Sequence, residues 1–78
     1  MNEMEKAIHD VIYKYTDVNI TDTKENLLSD NYKIYYIYFL YVFSELEKML
    51  SKPVFSILET LKYNEFTIAE LADRIERL

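Results

Sequence analysis

The chain has no cysteine, no glycine and a single proline among its 78 residues. Without cysteine it can form no disulfide, no thiolate metal site and no cysteine nucleophile, which favours a reducing compartment. Glycine supplies the positive φ angles of tight hairpins and of phosphate-binding loops. Its absence therefore argues against a β-hairpin protein and against a nucleotide-cradling loop, and it favours helices joined by longer irregular loops.

Basic residues are few and scattered: nine lysines and arginines stand against fourteen acidic residues, for a net charge of −5. Since a phosphate backbone repels such a surface, we expect no nucleic-acid partner. The longest apolar run, Ile34 to Phe43, has ten residues, whereas a membrane-spanning helix needs about 20. Acidic residues near the start are unlike a secretory signal. We expect one cytoplasmic domain over residues 1–78, without membrane contact.

The N-terminal segment carries an amphipathic pattern with apolar residues on one helical face. The stripe consists of Met4, Ile8, Val11, Ile12 and Tyr15. With Asn2 as the N-cap, the pattern predicts a helix over residues 3–15. Residues 16–31 are polar and turn-rich, which predicts an irregular loop. Four apolar residues of this loop should hold it against the core: Val18, Ile20, Leu27 and Leu28.

The segment from Tyr32 to Leu50 is open to two interpretations. Its aromatic and β-branched residues are typical of a strand, but it does not alternate with polar residues and runs directly into a strong helix-forming sequence. Because neither glycine nor proline interrupts it, we predict one helix of about 17 residues. On a helical wheel, the core face of this helix comprises Phe39, Val42, Phe43, Leu46, Met49 and Leu50.

The C-terminal third predicts two more helices. Pro53 disfavours helical geometry in the residue before it and ends the long helix. A short third helix is indicated by Phe55, Ile57, Leu58 and Leu61. Thr67 and Glu70 have the spacing of a capping box, which predicts a last helix over residues 67–78. Its buried stripe consists of Ile68, Leu71, Ala72, Ile75 and Leu78. The predicted fold is an all-α four-helix bundle with a long first loop.

This arrangement resembles the acyl carrier protein fold over nearly the whole chain. Three segments carry the resemblance: Asn26-Leu27-Leu28 in the loop, Leu46-Glu47-Lys48-Met49-Leu50 at the end of the second helix, and Phe66-Thr67-Ile68 at the start of the last. The resemblance implies a site for 4′-phosphopantetheine on a serine in an Asp-Ser-Leu motif at the start of the second helix.

The motif falls on Tyr35-Tyr36-Ile37, so that Tyr36 stands where the serine is expected and Tyr35 where the aspartate is expected. Lys33 replaces the usual glycine. A bulky phenol does not fit the attachment reaction, and Ser29 and Ser44 are too far along the chain to replace the serine. We therefore expect no phosphopantetheine and no other cofactor.

The outer face of the second helix is predicted to expose Tyr36, Ile37, Leu40 and Tyr41, flanked by Glu45. Exposed aromatic patches often mark binding sites, and tyrosine combines a large contact area with a polar tip. These five residues are the candidate partner contacts. Plain packing, or a surface for weak self-association, is the alternative interpretation.

Catalysis and metal binding find little support in the sequence. His9 is the only histidine and is expected to be solvated, and no spacing suggests metal ligands or a general base. Residues 66–72 resemble the first helix of a helix-turn-helix, but we expect no second, groove-reading helix after it.

We expect a non-catalytic, acyl carrier-related binding or scaffold module that meets a biosynthetic or modifying enzyme in a natural-product or peptide-maturation pathway. An unrelated acidic helical binder of the antitoxin or immunity type, or a truncated helix-turn-helix regulator, remains the alternative.

Overall fold

The computed structural model describes all 78 residues and contains helices but no strand. Three α-helices, α1 (Glu3–Thr16), α2 (Tyr36–Leu50) and α3 (Ile68–Glu76), are accompanied by two 3₁₀ helices, Val54–Glu59 and Tyr63–Glu65. The radius of gyration is 11.2 Å, close to the roughly 11.5 Å expected for a compact domain of this length. The all-α prediction is thus confirmed, and the strand interpretation of the tyrosine-rich segment is wrong.

α1 begins with a reciprocal capping box. Asn2 Oδ1 accepts a hydrogen bond from the Glu5 N–H at 2.8 Å, and Glu5 Oε1 accepts one from the Asn2 N–H at 2.9 Å. These bonds satisfy two N–H groups that a helix start otherwise leaves unpaired. The helix ends at Thr16 and is followed by the C-cap Asp17, whose φ of 58° is left-handed and whose N–H donates to the Tyr13 carbonyl. The predicted N-cap and the predicted helix are confirmed.

α2 is shorter than predicted, with 15 residues instead of about 17. Lys33 has a positive φ of 53° and Tyr35 is extended, so the chain enters helical geometry only at Tyr36. No side chain caps this start. Lys33 thus has a left-handed conformation where the acyl carrier resemblance expects glycine. The helix ends at Leu50 and is followed by the left-handed C-cap Ser51, two residues before Pro53. No helix of the chain combines the length and apolar character needed to cross a membrane.

The predicted third helix forms as a 3₁₀ helix, and the last α-helix is shorter than expected at both ends. Thr67 Oγ1 accepts a hydrogen bond from the Glu70 N–H at 3.1 Å, which is one half of the predicted capping box. The other half is absent because the Thr67 N–H donates to the Glu65 carbonyl at 2.8 Å, while the Glu70 carboxylate accepts from Arg74 Nε at 3.0 Å. Only the N-cap is therefore confirmed.

The long first loop is tied to the region around the start of α3. The Leu27 N–H donates to the Phe66 carbonyl at 2.8 Å, and the Ala69 N–H donates to the Thr23 carbonyl at 2.9 Å. Ile20 and Leu27 are fully buried, and Val18 and Leu28 pack against the core. The prediction that apolar residues hold this loop on the bundle is confirmed.

The core consists of 16 buried residues, all apolar. The ring of Phe66 packs against two other rings, with its centroid 5.0 Å from that of Phe39 and 6.1 Å from that of Phe43. Two predicted core residues lie outside: Met49 is 53% exposed and Leu78 is 44% exposed. Met49 belongs to the last turn of α2, where it borders an open groove against α1, and Leu78 follows the end of α3. Met49 is thus exposed because the groove beside it is open, and the helical wheel does not apply to Leu78 because α3 ends at Glu76.

Candidate protein-interaction surface

The outward face of α2 carries an apolar strip formed by Tyr36, Ile37, Leu40 and Tyr41, called here the tyrosine strip. Their exposed fractions are 52%, 53%, 40% and 50%, respectively. The opposite face of the helix is buried through Phe39, Val42, Phe43 and Leu46. The predicted exposure of the strip is therefore confirmed, while its role in binding a partner stays a prediction.

Further tyrosines extend this surface. Tyr35 precedes α2 and is 74% exposed; its ring centroid lies 6.4 Å from that of Tyr38, which lies 6.5 Å from that of Tyr41. The row continues onto α1, because the Tyr15 ring is stacked on Tyr41 with 6.0 Å between centroids. The spacing of three residues could have revealed the first three members of this row. Tyr15 joins only through the tertiary fold.

The surface has no charge of its own, since the stretch from Ile34 to Ser44 contains no acidic or basic residue. A large side chain exposes on the order of 200 Å² when fully open, so the exposed fractions of the tyrosine strip and Tyr35 correspond to roughly 500 Å². Patches of this size, about 300–600 Å², are the largest found on typical monomers and are often functional. The strip thus offers an uncharged, largely apolar contact area that includes the hydroxyl groups of its tyrosines.

Glu45, the fifth candidate, is engaged in contacts within the chain. Its Oε1 accepts a hydrogen bond from Lys14 Nζ at 2.7 Å and another from the Tyr15 hydroxyl at 2.6 Å. The hydrogen bond from Lys14, and then that from Tyr15, hold the pKa of the Glu45 carboxyl below its ordinary value. Both donors belong to α1, so Glu45 links α1 to α2. A role in partner binding would have to compete with this link.

Tyr36 is the first residue of α2, the position at which the acyl carrier resemblance expects the modified serine. No serine or threonine occurs between Tyr32 and Phe43. Ser44 is partly buried two turns into the helix, and Ser29 lies in the long loop. A half-exposed phenol does not supply the small primary hydroxyl to which the phosphopantetheine phosphate is joined. The residues present therefore do not fit this prosthetic group.

His9 is less solvated than predicted, because its side chain is only 19% exposed. Its Nδ1 lies 3.0 Å from Asp10 Oδ1, and its Nε2 lies 2.7 Å from Asn19 Oδ1. The hydrogen bonds to Asp10 and Asn19 raise the pKa of the imidazole. His9 thereby tethers the start of the long loop to α1. No group of three or more histidine, aspartate and glutamate side chains is arranged to hold a metal ion.

Two phenols outside the strip donate to carboxylates. The Tyr32 hydroxyl donates to Glu25 Oε2 at 2.6 Å, and burial together with this bond raises the pKa of Tyr32 to about 12. Tyr15 donates to Glu45 in the same way, and that bond raises its pKa. Both phenols are therefore protonated at neutral pH and act as structural donors.

Comparison with known protein families, with curated proteins and with solved structures finds no match in any of the three.

Proposed function

We propose that the chain is a non-catalytic, acyl carrier-related protein without a prosthetic group, and that it binds or recruits a modifying or biosynthetic enzyme through the tyrosine strip. The natural setting of such a module is a cytoplasmic natural-product or peptide-maturation pathway. The observation that carries the proposal is the uncharged, half-exposed strip on α2. The strip begins with a phenol at the position where an acyl carrier protein would attach phosphopantetheine.

The chemistry of the strip supports contact with a protein. Tyrosine is among the residues that dominate binding energy at interfaces, because its ring covers a large area at low entropic cost and its hydroxyl keeps a hydrogen bond. The ring of Tyr41 is further supported by stacking with Tyr15 at 6.0 Å. A helix presents these side chains on a rigid backbone, which reduces the cost of ordering them on binding.

The partner should present an apolar pocket and no strongly charged surface. Acyl carrier proteins are gripped mainly through acidic residues of the corresponding helix, whereas this strip contains none. An area of roughly 500 Å² is below the approximately 800 Å² that each partner buries in a stable complex. The contact is therefore transient, as a recruiting module requires, and depends weakly on salt.

A set of exposed substitutions tests the role of the strip. Tyr41→Ala and Leu40→Ala should release a partner that the wild-type chain captures in its native host, with a loss of affinity of about tenfold or more for the purified pair. Tyr63→Ala is the matched control, since Tyr63 is 67% exposed and lies on the second 3₁₀ helix. Circular dichroism confirms that each variant is folded. If both strip variants retain the partner at wild-type affinity, the strip is not the interface.

Treatment with a phosphopantetheinyl transferase and coenzyme A tests the missing attachment site. Intact-mass spectrometry should show no mass increase in the wild-type chain. The double variant Tyr35→Asp/Tyr36→Ser places an Asp-Ser-Ile sequence at the start of α2. The acyl carrier-like arrangement predicts that this variant gains the phosphopantetheine group. A gain in the wild-type chain would refute the absence of the prosthetic group, and a double variant that stays unmodified would count against the acyl carrier-like arrangement.

A further inference from the structure

We infer that a second copy of this chain is a partner of the tyrosine strip, so that two molecules cover each other's strips in a weak symmetric dimer. This inference rests on the proposed function in one respect: the strip must be a contact surface. It goes further by naming an occupant. Three properties of the surface support it, namely its shape, its distribution of charge and its area.

The strip consists of two neighbouring ridges, each with a spacing of four residues. One ridge runs through Tyr36 and Leu40 and continues beyond the strip to Ser44, and the other contains Ile37 and Tyr41. Ridges with this spacing pack between the equivalent ridges of another helix, in the commonest class of helix crossing. Leu40 lies in the middle of its ridge, so a twofold axis near Leu40 places the same surface of both copies in contact, as a symmetric dimer requires.

The distribution of charge permits this contact despite the net charge of −5. The residues from Ile34 to Ser44 are uncharged, and Glu45 at the edge is paired with Lys14 at 2.7 Å. Lys33 and Lys48 lie beyond the two ends of the strip, where crossed helices diverge. No buried like-charge pair is therefore needed at the centre of the interface. Repulsion between the two acidic molecules acts at longer range and is weakened by salt.

The available area sets the strength of the dimer. The strip and Tyr35 expose roughly 500 Å² in each copy, so complete coverage of both surfaces would bury about 1,000 Å². This is the lower limit of a biological interface and falls short of the approximately 1,200–2,000 Å² typical of stable complexes. A dimer of this size dissociates readily. A partner enzyme with a better-fitting pocket can then displace the second copy.

Sedimentation velocity over protein concentrations from about 10 μM to 1 mM tests the inference, because weak complexes have dissociation constants in this range. The wild-type chain should change from monomer to dimer, and raising the salt concentration should strengthen the dimer. Leu40→Glu and Leu40→Lys should each weaken it by about tenfold or more, since each places two like charges at the axis. Tyr63→Glu is the control and should dimerise like the wild type.

Mixing the two Leu40 variants tests the symmetry directly. At low salt, Leu40→Glu and Leu40→Lys should associate with each other more strongly than either does with itself, because opposite charges then meet at the axis. A wild-type chain that stays monomeric to 1 mM, or a Leu40→Glu variant that dimerises normally, would overturn the dimer. The proposed function is judged separately: a partner lost in Tyr41→Ala supports it even when the chain is monomeric.

Discussion

Replacing Phe66 by alanine should destabilise the chain more than any change at its surface. Phe66 is 4% exposed and packs edge-on against Phe39 and face-on against Phe43. Loss of the ring removes buried apolar area and leaves a void among rigid neighbours, which costs about 3–5 kcal/mol in comparable cores. A domain of this length has a total stability of about 4–12 kcal/mol. Phe66→Ala should therefore remove a large share of the free energy of unfolding.

Urea unfolding followed by circular dichroism measures this loss, and Phe55→Ala is the matched control. Phe55 also packs edge-on against Phe43, with 5.9 Å between centroids, but is 36% exposed. Its removal opens the site to solvent and leaves no enclosed void, so the cost should be roughly 1–2 kcal/mol. Equal losses for the two variants would refute the described core, in which Phe66 and not Phe55 is the central ring.

Three further changes test individual contacts. Asn2→Ala removes the capping box of α1 and should lower the free energy of unfolding by about 1 kcal/mol in urea titrations. Acidification should reduce the thermal stability of Glu45→Gln less than that of the wild type. The hydrogen bond from Lys14 lowers the pKa of Glu45 in the folded chain. The ionised carboxylate therefore stabilises the fold at pH values above its ordinary pKa, and this stabilisation is lost as the pH falls through the lowered pKa. His9→Ala should reduce the loss of thermal stability that accompanies a rise in pH. The His9 pKa is raised by Asp10, so its stabilisation is present below about pH 6.5 and is lost as pH rises through the folded pKa. Thermal melts between pH 3 and pH 8 would contradict these assignments if the variants kept the wild-type slopes.

The two terminal helices could be predicted because their local signals agree. α1 has an amphipathic stripe and an N-cap at Asn2, and α3 has the same two signals with Thr67. α2 has neither a capping side chain nor an acidic residue in its first turn. Its start at Tyr36 depends on the left-handed backbone at Lys33. Nothing in a run of aromatic residues marks that conformation, because glycine, its usual indicator, is absent.

The candidate surface could be predicted only in part, for a related reason. The helical wheel separates the exposed Tyr41 from the buried Phe43 because both directions are fixed within α2. It gives no information about α1, and so the pairing of Glu45 with Lys14 and the stacking of Tyr15 on Tyr41 were missed. Such contacts join residues about 30 positions apart in the chain. They follow from the packing of the helices and leave no mark in either sequence segment.

The first half of α2 departs from the rules of local stability in three ways at once. It begins without a capping side chain, it has no acidic residue near the positive end of the helix dipole, and it exposes Tyr36, Ile37 and Tyr41 where residues with better helix propensity would also be more soluble. The core does not require these exposed residues, since none of them is among its 16 buried residues. Departures from local consistency tend to concentrate where a protein functions. α1 and α3 each have a capping side chain and an acidic residue in the first turn. The three departures occur together only at the start of α2, which supports a contact surface at the tyrosine strip.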